Sequence, residues 1–188
     1  MTINLALKLG TGKSPQQFID GMSKNQEQFL QWQQRFAWSS ADDQQFFEAL
    51  QSRADLHCYI LMADWCGDVV RNIPVVFQLM ETSAIPVEVL VMEEHLETMD
   101  QFLTLGGRSI PVVIFTNTAG DVLGKWGPRP AYIQEPMVAF KQNNPDREAA
   151  DYATNLTETR AEIMRRYGED TAYQADIVRE IRSLLVTI

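Results

Sequence analysis

The chain has 188 residues, of which 45% are hydrophobic and 22% are charged. This composition is typical of a folded protein with one substantial core. Sixteen lysines and arginines oppose 25 aspartates and glutamates, so the formal net charge is -9. Because an acidic surface repels the nucleic-acid backbone and the sequence contains no basic patch for anionic lipid, we expect neither nucleic acid nor a membrane as a partner.

The first residues, MTINLALKLGTGKSP, lack the basic start and the continuous apolar run of a secretory leader. No segment has the length and hydrophobicity of a membrane span. We therefore expect a cytoplasmic protein whose two cysteines, Cys58 and Cys66, are free thiols. No Cys/His group has the spacing of a metal site, so we expect no metal and no cofactor. The sequence does not predict an oligomeric state.

The N-terminal part of the chain is predicted to be helical. Ser14-Pro15 is typical of a helix start, and apolar side chains recur at helical spacing from Phe18 to Phe36. The segment SSADDQQFFEAL predicts a second helix, with Ser40 or a neighbour as its cap and acidic residues in its first turn.

The middle of the chain, about residues 54–130, alternates strands with helices. LHCYILMA is a short apolar run typical of a central strand, and the segment after Cys66 predicts a helix interrupted at Pro74. IPVEVLVM predicts a second strand parallel to the first, because a crossover helix joins the two. HLETMDQFLTL then predicts a helix, and IPVVIFTNTAGDVLGKW predicts a β-hairpin.

The segment GPRP ends the hairpin, and residues 131–188 are predicted to be helical. One helix covers PAYIQEPMVAFKQ, a long one runs from Asn144-Pro145 to Tyr167, and the last has apolar residues on one face. No flexible linker separates the ends from the middle. We therefore expect one α/β domain over residues 1–188, with a mixed sheet of about four strands flanked by helices and with helical extensions, 14–50 and 131–188, packed on it.

Three short motifs in this order resemble the thioredoxin family over roughly residues 56–126. Trp65-Cys66-Gly67 looks like the start of the family's Trp-Cys-Gly-Pro-Cys signature, at the beginning of the first crossover helix. Pro74 lies where thioredoxins kink that helix. Ser109-Ile110-Pro111 resembles the loop with a cis-proline that faces the active-site cysteine. GKWGPRP further resembles a small group of thioredoxin-like bacterial proteins with extra helical ends.

The resemblance implies a thioredoxin-like fold with Cys66 as the catalytic cysteine. It also implies a client site formed by Trp65, Gly67 and Asp68 together with Ile110 and Pro111. The backbone of Ile110 would pair with an extended client peptide, and Trp65 would either offer the client a flat apolar surface or pack into the core.

The sequence departs from the family pattern at the residues that resolve a mixed disulfide. Asp68 and Val69 replace the family's proline and second cysteine, and Ile60 stands where many thioredoxins bury an aspartate. Cys58 lies eight residues before Cys66, about 25 Å away along an extended strand. A disulfide needs Cα atoms within about 7 Å, so we interpret Cys58 as a buried packing residue.

The charges near Cys66 act in opposite directions on its thiol. The free N–H groups of a helix start favour the thiolate, whereas the Asp68 carboxylate opposes it. Arg71, one turn further, is predicted to modulate this balance by offsetting Asp68 or by pairing with it, and we expect a modestly lowered pKa for Cys66. We assign Arg129 to solvent or to a helix cap.

Two functions are consistent with this sequence. The first is monothiol thiol–disulfide exchange at Cys66 with a client protein or a low-molecular-weight thiol, in which an external thiol completes turnover. The second is a non-catalytic binding module that retains the peptide groove. In neither reading is the protein a conventional dithiol thioredoxin.

Overall fold

The computed structural model describes residues 3–188, in which eight α-helices flank a four-stranded sheet. Residues 1–2, which the predicted domain includes, lie outside the described residues. The strands are β1 (Leu56–Met62), β2 (Val87–Val91), β3 (Val112–Asn117) and β4 (Val122–Trp126). The helices are α1 (Pro15–Asp20), α2 (Gln26–Gln34), α3 (Ala41–Ala49), α4 (Gly67–Ser83), α5 (Leu96–Met99), α6 (Ala131–Asn143), α7 (Tyr152–Tyr167) and α8 (Ala172–Val186). This confirms the predicted α/β fold with a mixed sheet.

The strand order β2-β1-β3-β4 places the apolar strand β1 at the centre of the sheet. β1 pairs in parallel with β2 and antiparallel with β3, and β3 pairs antiparallel with β4. Leu61 lies opposite Val112, so the end of β1 and the start of β3 meet at the same edge. The loops that carry Cys66 and Pro111 therefore leave the sheet side by side.

Helix α4 makes the crossover between the two parallel strands. Eleven of its 17 residues are buried, and Pro74 lies inside the helix without ending it. Proline removes one helical hydrogen bond, a loss that burial of the apolar face against the sheet offsets. The helix ends at Ala84, whose left-handed backbone conformation (φ 54°) closes the last turn.

The single helix predicted between Phe18 and Phe36 is two helices, α1 and α2. The Asp64 carboxylate, just after β1, accepts hydrogen bonds from the backbone N–H groups of Ser23 (2.8 Å) and Lys24 (3.0 Å). These bonds hold the chain in a turn between the two helices. A long-range contact therefore overrides the helical periodicity of the segment.

Two other helices are shorter than predicted. The helix expected over HLETMDQFLTL covers only Leu96–Met99, and a turn follows in which Thr104 and Gly107 exchange two 2.9 Å backbone hydrogen bonds. The helix expected from Asn144 begins at Tyr152, because the Asp146 side chain accepts the Glu148 N–H at 2.9 Å and stabilises a local turn.

Helix α8 packs against α4 and β4, and its residues Ile177 and Ile181 are fully buried. The Trp126 indole N–H donates to Glu180 at 2.7 Å, which attaches α8 to the end of β4. Arg182 of the same helix forms an ion pair with Asp43 of α3. Within residues 3–188, no helix combines the length and the apolar composition needed to cross a membrane.

Candidate functional site

Cys66 occupies the N-cap position of α4, and its thiol faces the loop before β3. The Sγ atom lies 3.4 Å from the carbonyl oxygen of Ile110, to which the thiol donates a hydrogen bond. The Ile110-Pro111 peptide bond is cis, as predicted. The pairing of β1 with β3 explains this contact, because it brings together two loops that are 44 residues apart in the chain.

Cys66 is partly buried, and its two sequence neighbours, Trp65 and Gly67, are exposed. The Trp65 side chain is 48% exposed, and its indole N–H donates to Glu93 at 2.7 Å. A Cβ atom added at Gly67 would meet no heavy atom within 4 Å. Of the two interpretations of Trp65, the structure supports the surface one, since about half of the side chain is exposed and it is not part of the core.

The expected lowering of the Cys66 pKa is not observed. Partial burial and the negative charge of Asp68 raise the pKa of this thiol, and they outweigh the backbone N–H groups of Val69 and Asp68 and the charge of Arg129, which act in the opposite direction. The hydrogen bond donated to Ile110 also favours the protonated form. The surroundings of Cys66 therefore favour the thiol over the thiolate.

Asp68 belongs to a group of polar side chains that we call the Asp68 cluster: Asp68, Asn72, Arg129 and Tyr167. The guanidinium of Arg129 binds both carboxylate oxygens of Asp68, and the pair is largely buried. The Tyr167 hydroxyl donates to the same carboxylate at 2.7 Å. The Asn72 side-chain N–H group donates to the Tyr167 hydroxyl (2.7 Å) and to the carbonyl of Pro128 (3.0 Å).

This arrangement corrects two sequence predictions. Arg129, which we assigned to solvent or a cap, is the partner of Asp68. Arg71, which we expected to balance Asp68, instead packs its guanidinium over the Trp32 ring, 4.3 Å from the ring centroid, and donates to the carbonyl of Gly168 at 2.9 Å. Helical spacing places Asp68 and Arg71 on adjacent turns, but the Arg71 guanidinium packs on the Trp32 ring and does not pair with Asp68.

Cys58 is a packing residue, as predicted. It lies in β1 opposite Val87 and Phe115, its side chain is fully buried, and burial raises its pKa. Ile60 is equally buried in the same strand. Of the two thiols, only Cys66 is partly exposed. Across residues 3–188, no three His, Cys, Asp or Glu side chains are arranged to hold a metal ion.

The fold and the cysteine site together define a thioredoxin-like protein. A thioredoxin family model matches residues 12–143, which is more than half of the chain, so the protein belongs to that family. The match begins just before α1 and ends with α6, and helices α7 and α8 follow it. No curated protein matches the sequence.

Two solved structures resemble the whole described chain. One is an HIV epitope-scaffold of the 4E10 series, with a TM-score of 0.68 and 12% sequence identity over 99% of both chains. The other is a protein of unknown function, PA1234 from Pseudomonas aeruginosa, with a TM-score of 0.65 and 15% identity over 98% of both chains. At these identities the similarity shows the fold, and it extends over the terminal helices as well as the sheet.

Proposed function

We propose that this protein performs monothiol thiol–disulfide exchange at Cys66. The observation that carries the proposal is the position of the sulfur atom, at the start of α4 and 3.4 Å from the Ile110 carbonyl, in the residue that follows the exposed Trp65. This places one accessible thiol next to a stretch of backbone and a flat apolar surface on which a client segment can lie.

The exchange step conserves atoms and electrons. Cys66 loses its proton to solvent, and its thiolate attacks one sulfur of a client disulfide. A Cys66–client disulfide forms, the client's original sulfur–sulfur bond breaks, and the other client sulfur leaves as a thiolate. Since Cys58 is buried in β1, an external thiolate attacks the client sulfur of the mixed disulfide, forms a new disulfide with the client and releases Cys66 as a thiolate, which regains its proton from solvent.

The raised pKa of Cys66 favours a second candidate, a binding module that retains the groove without turnover. A thiol that stays protonated at neutral pH reacts slowly with disulfides, because the thiolate is the nucleophile. In this alternative, Trp65, Gly67, Asp68, Ile110 and Pro111 still contact a client protein, and Cys66 contributes only to the shape of the groove.

A kinetic assay separates the two candidates. Exchange between a fluorogenic peptide disulfide and a small monothiol is measured with catalytic amounts of wild-type protein, Cys66→Ser and Cys58→Ser. The proposal predicts acceleration by wild type and Cys58→Ser, and none by Cys66→Ser. Equal rates in all three samples and in buffer would exclude exchange, and undiminished client capture by Cys66→Ser would then support the binding module.

We further propose that the protein works in a reducing compartment such as the cytoplasm. Both cysteines are free thiols in the structure, and monothiol exchange requires an external thiol to complete each turnover. Recovery of Cys66 joined to a client protein or to a low-molecular-weight thiol, by mass spectrometry of non-reduced native extracts, would identify the partner directly.

A further inference from the structure

We propose that the cavity beside the Cys66 loop is a binding site for a carboxylate group attached to a flat or apolar body. The cavity has a volume of about 470 Å³, large enough for a small organic molecule or one or two peptide residues. Its lining includes Trp65 and Gly67, the sequence neighbours of Cys66 on either side. It also includes Trp32, Arg35, Arg71 and Met164.

Two guanidinium groups give this cavity a positive lining. Arg35 and Arg71 both pack on the Trp32 ring, 4.4 Å and 4.3 Å from its centroid. No aspartate or glutamate lines the cavity, although the chain as a whole carries a net charge of -9. The charged side chains that line the cavity are therefore positive, whereas the net charge of the whole chain is negative.

Both guanidinium groups retain donors for a ligand. Arg71 uses one nitrogen, Nη1, to donate to the Gly168 carbonyl. Arg35 uses Nη2 to contact the Glu169 carbonyl at 3.2 Å and the Asp170 carboxylate at 3.4 Å. A guanidinium has five N–H donors, so each group can still bind an incoming carboxylate. The Asp170 side chain is 94% exposed and competes weakly for Arg35.

Trp65 also lines a second, smaller cavity with different charges. This cavity, of about 190 Å³, is lined by the acids Asp64 and Glu93 together with Lys13. An anionic ligand that approaches Cys66 is therefore expected to choose the side of Arg35 and Arg71. The exposed Trp65 and the partly buried Trp32, both in the cavity lining, offer apolar surface for the body of the same ligand.

This inference specifies the substrate class of the proposed exchange, and that part of it rests on the proposed function. A client or low-molecular-weight disulfide would carry a carboxylate near its reacting sulfur. Binding by the arginines would hold that disulfide in a cavity lined by Trp65 and Gly67, the sequence neighbours of Cys66, and the mixed disulfide would then form as described above. Binding itself does not require any reaction at Cys66, so it is tested separately.

The binding test uses Cys66→Ser, which cannot form a mixed disulfide at position 66, and follows tryptophan indole N–H signals by NMR. The titrants are two aromatic disulfides, the dianionic dithiobis(nitrobenzoate) and the neutral dithiodipyridine. We expect the Trp32 and Trp65 signals to shift with the dianion at about tenfold lower concentration, as expected for a charged hydrogen bond. The signal of Trp126, which is buried against α8, is the internal control.

Substitutions of Arg35 show whether the cavity causes this preference. Arg35→Gln is expected to reduce the difference between the two titrants several-fold, and Arg35→Lys to retain most of it. Arg147→Gln removes the same charge from an exposed site outside the cavity and is expected to have no effect. Equal shifts with both titrants, or an identical response of Arg35→Gln and Arg147→Gln, would overturn the proposal.

The same reagents report on exchange when Cys66 is present. In the wild-type background, Arg35→Gln should slow the reaction with the dianion relative to the neutral disulfide, and Arg147→Gln should leave the ratio unchanged. Binding to Cys66→Ser without any reaction of wild type would reject the exchange function and keep the carboxylate site. Reaction of wild type with both reagents, together with equal binding of both by Cys66→Ser, would reject the carboxylate site and keep the exchange function.

Discussion

The Tyr167 hydroxyl donates a 2.7 Å hydrogen bond to the Asp68 carboxylate, although 99 residues separate the two side chains in the sequence. Burial, together with the negative charge of Asp68, raises the pKa of Tyr167 well above its ordinary value, so the hydroxyl stays protonated and acts as the donor. Tyr167 is the last residue of α7, which lies beyond the part of the chain that the family model matches. The C-terminal extension thus contacts the first turn of α4 beside Cys66.

Substitution of Asp68 is predicted to make Cys66 more acidic. Asp68→Asn removes the negative charge that raises the Cys66 pKa and leaves the positive charge of Arg129 in place, so the pKa should fall. The rate of alkylation by iodoacetamide, followed by mass spectrometry across pH, measures this shift. Glu93→Gln removes an acid beside Trp65 and serves as the control, and an unchanged pH profile in Asp68→Asn would contradict the prediction.

Substitution of Arg129 is predicted to raise the Cys66 pKa and to destabilise the protein strongly. Arg129→Gln removes a charge that lowers the Cys66 pKa, so the alkylation profile should move to higher pH. It also leaves Asp68 buried without its partner, at a cost of about 3–5 kcal/mol in the free energy of unfolding. Urea denaturation measures this cost, with Arg147→Gln expected to stay within about 0.5 kcal/mol of wild type.

The Tyr167 hydroxyl is predicted to stabilise the fold independently of its ring. Tyr167→Phe removes the hydrogen bonds to Asp68 and from Asn72, whose side chain is fully buried, and should cost about 1–3 kcal/mol. Tyr152→Phe on the same helix removes only a 3.5 Å contact with Lys141 and should be nearly neutral. Equal losses in the two variants would show that the hydrogen bonds in the Asp68 cluster contribute little.

The two cysteines are predicted to differ strongly in accessibility. Cys58 is fully buried and can react only when the sheet opens, so its alkylation should be at least about 10³-fold slower than that of Cys66. Peptide mapping after timed alkylation of the native protein measures both rates, and both cysteines should react in denaturant. Comparable rates in the native protein would mean that β1 is exposed in solution.

Helix α8 is predicted to unfold together with the sheet. Ile181→Ala creates a cavity at a fully buried position and should destabilise the protein by about 2–5 kcal/mol. Arg179→Ala, on the exposed face of the same helix, should change stability by no more than about 0.5 kcal/mol. A single shifted transition in Ile181→Ala would support one domain, whereas loss of the α8 signal in a separate step would count against it.

Much of the fold can be predicted from local sequence patterns. The apolar run of β1, the Ser40 cap of α3 and the hairpin after Pro111 all follow from side-chain period and turn residues, and each is present where expected. The break between α1 and α2 cannot be predicted from local sequence. It depends on Asp64, whose carboxylate lies about 40 residues away in sequence from the two N–H groups it binds.

In the candidate site, too, some features could be predicted from local sequence and others could not. Its position, with Cys66 at a helix start facing Pro111, is encoded by two short motifs, because strand pairing leaves few ways to arrange the loops that carry them. Its electrostatics are not encoded locally. Asp68 had Arg71 as its nearest cation in sequence, yet Arg71 lies on Trp32, and Arg129 and Tyr167 from distant elements bind the carboxylate.

Side-chain patterns and the family resemblance were therefore sufficient for the class of fold and for the position of Cys66 at a helix start opposite Pro111. The charges around Cys66 depend on the tertiary structure, because it brings Arg129 and Tyr167 from distant parts of the chain to Asp68. The physical reason is that periodicity and turn propensity act over a few residues, whereas desolvation and Coulomb interactions depend on every group within a few ångströms, whatever its place in the chain.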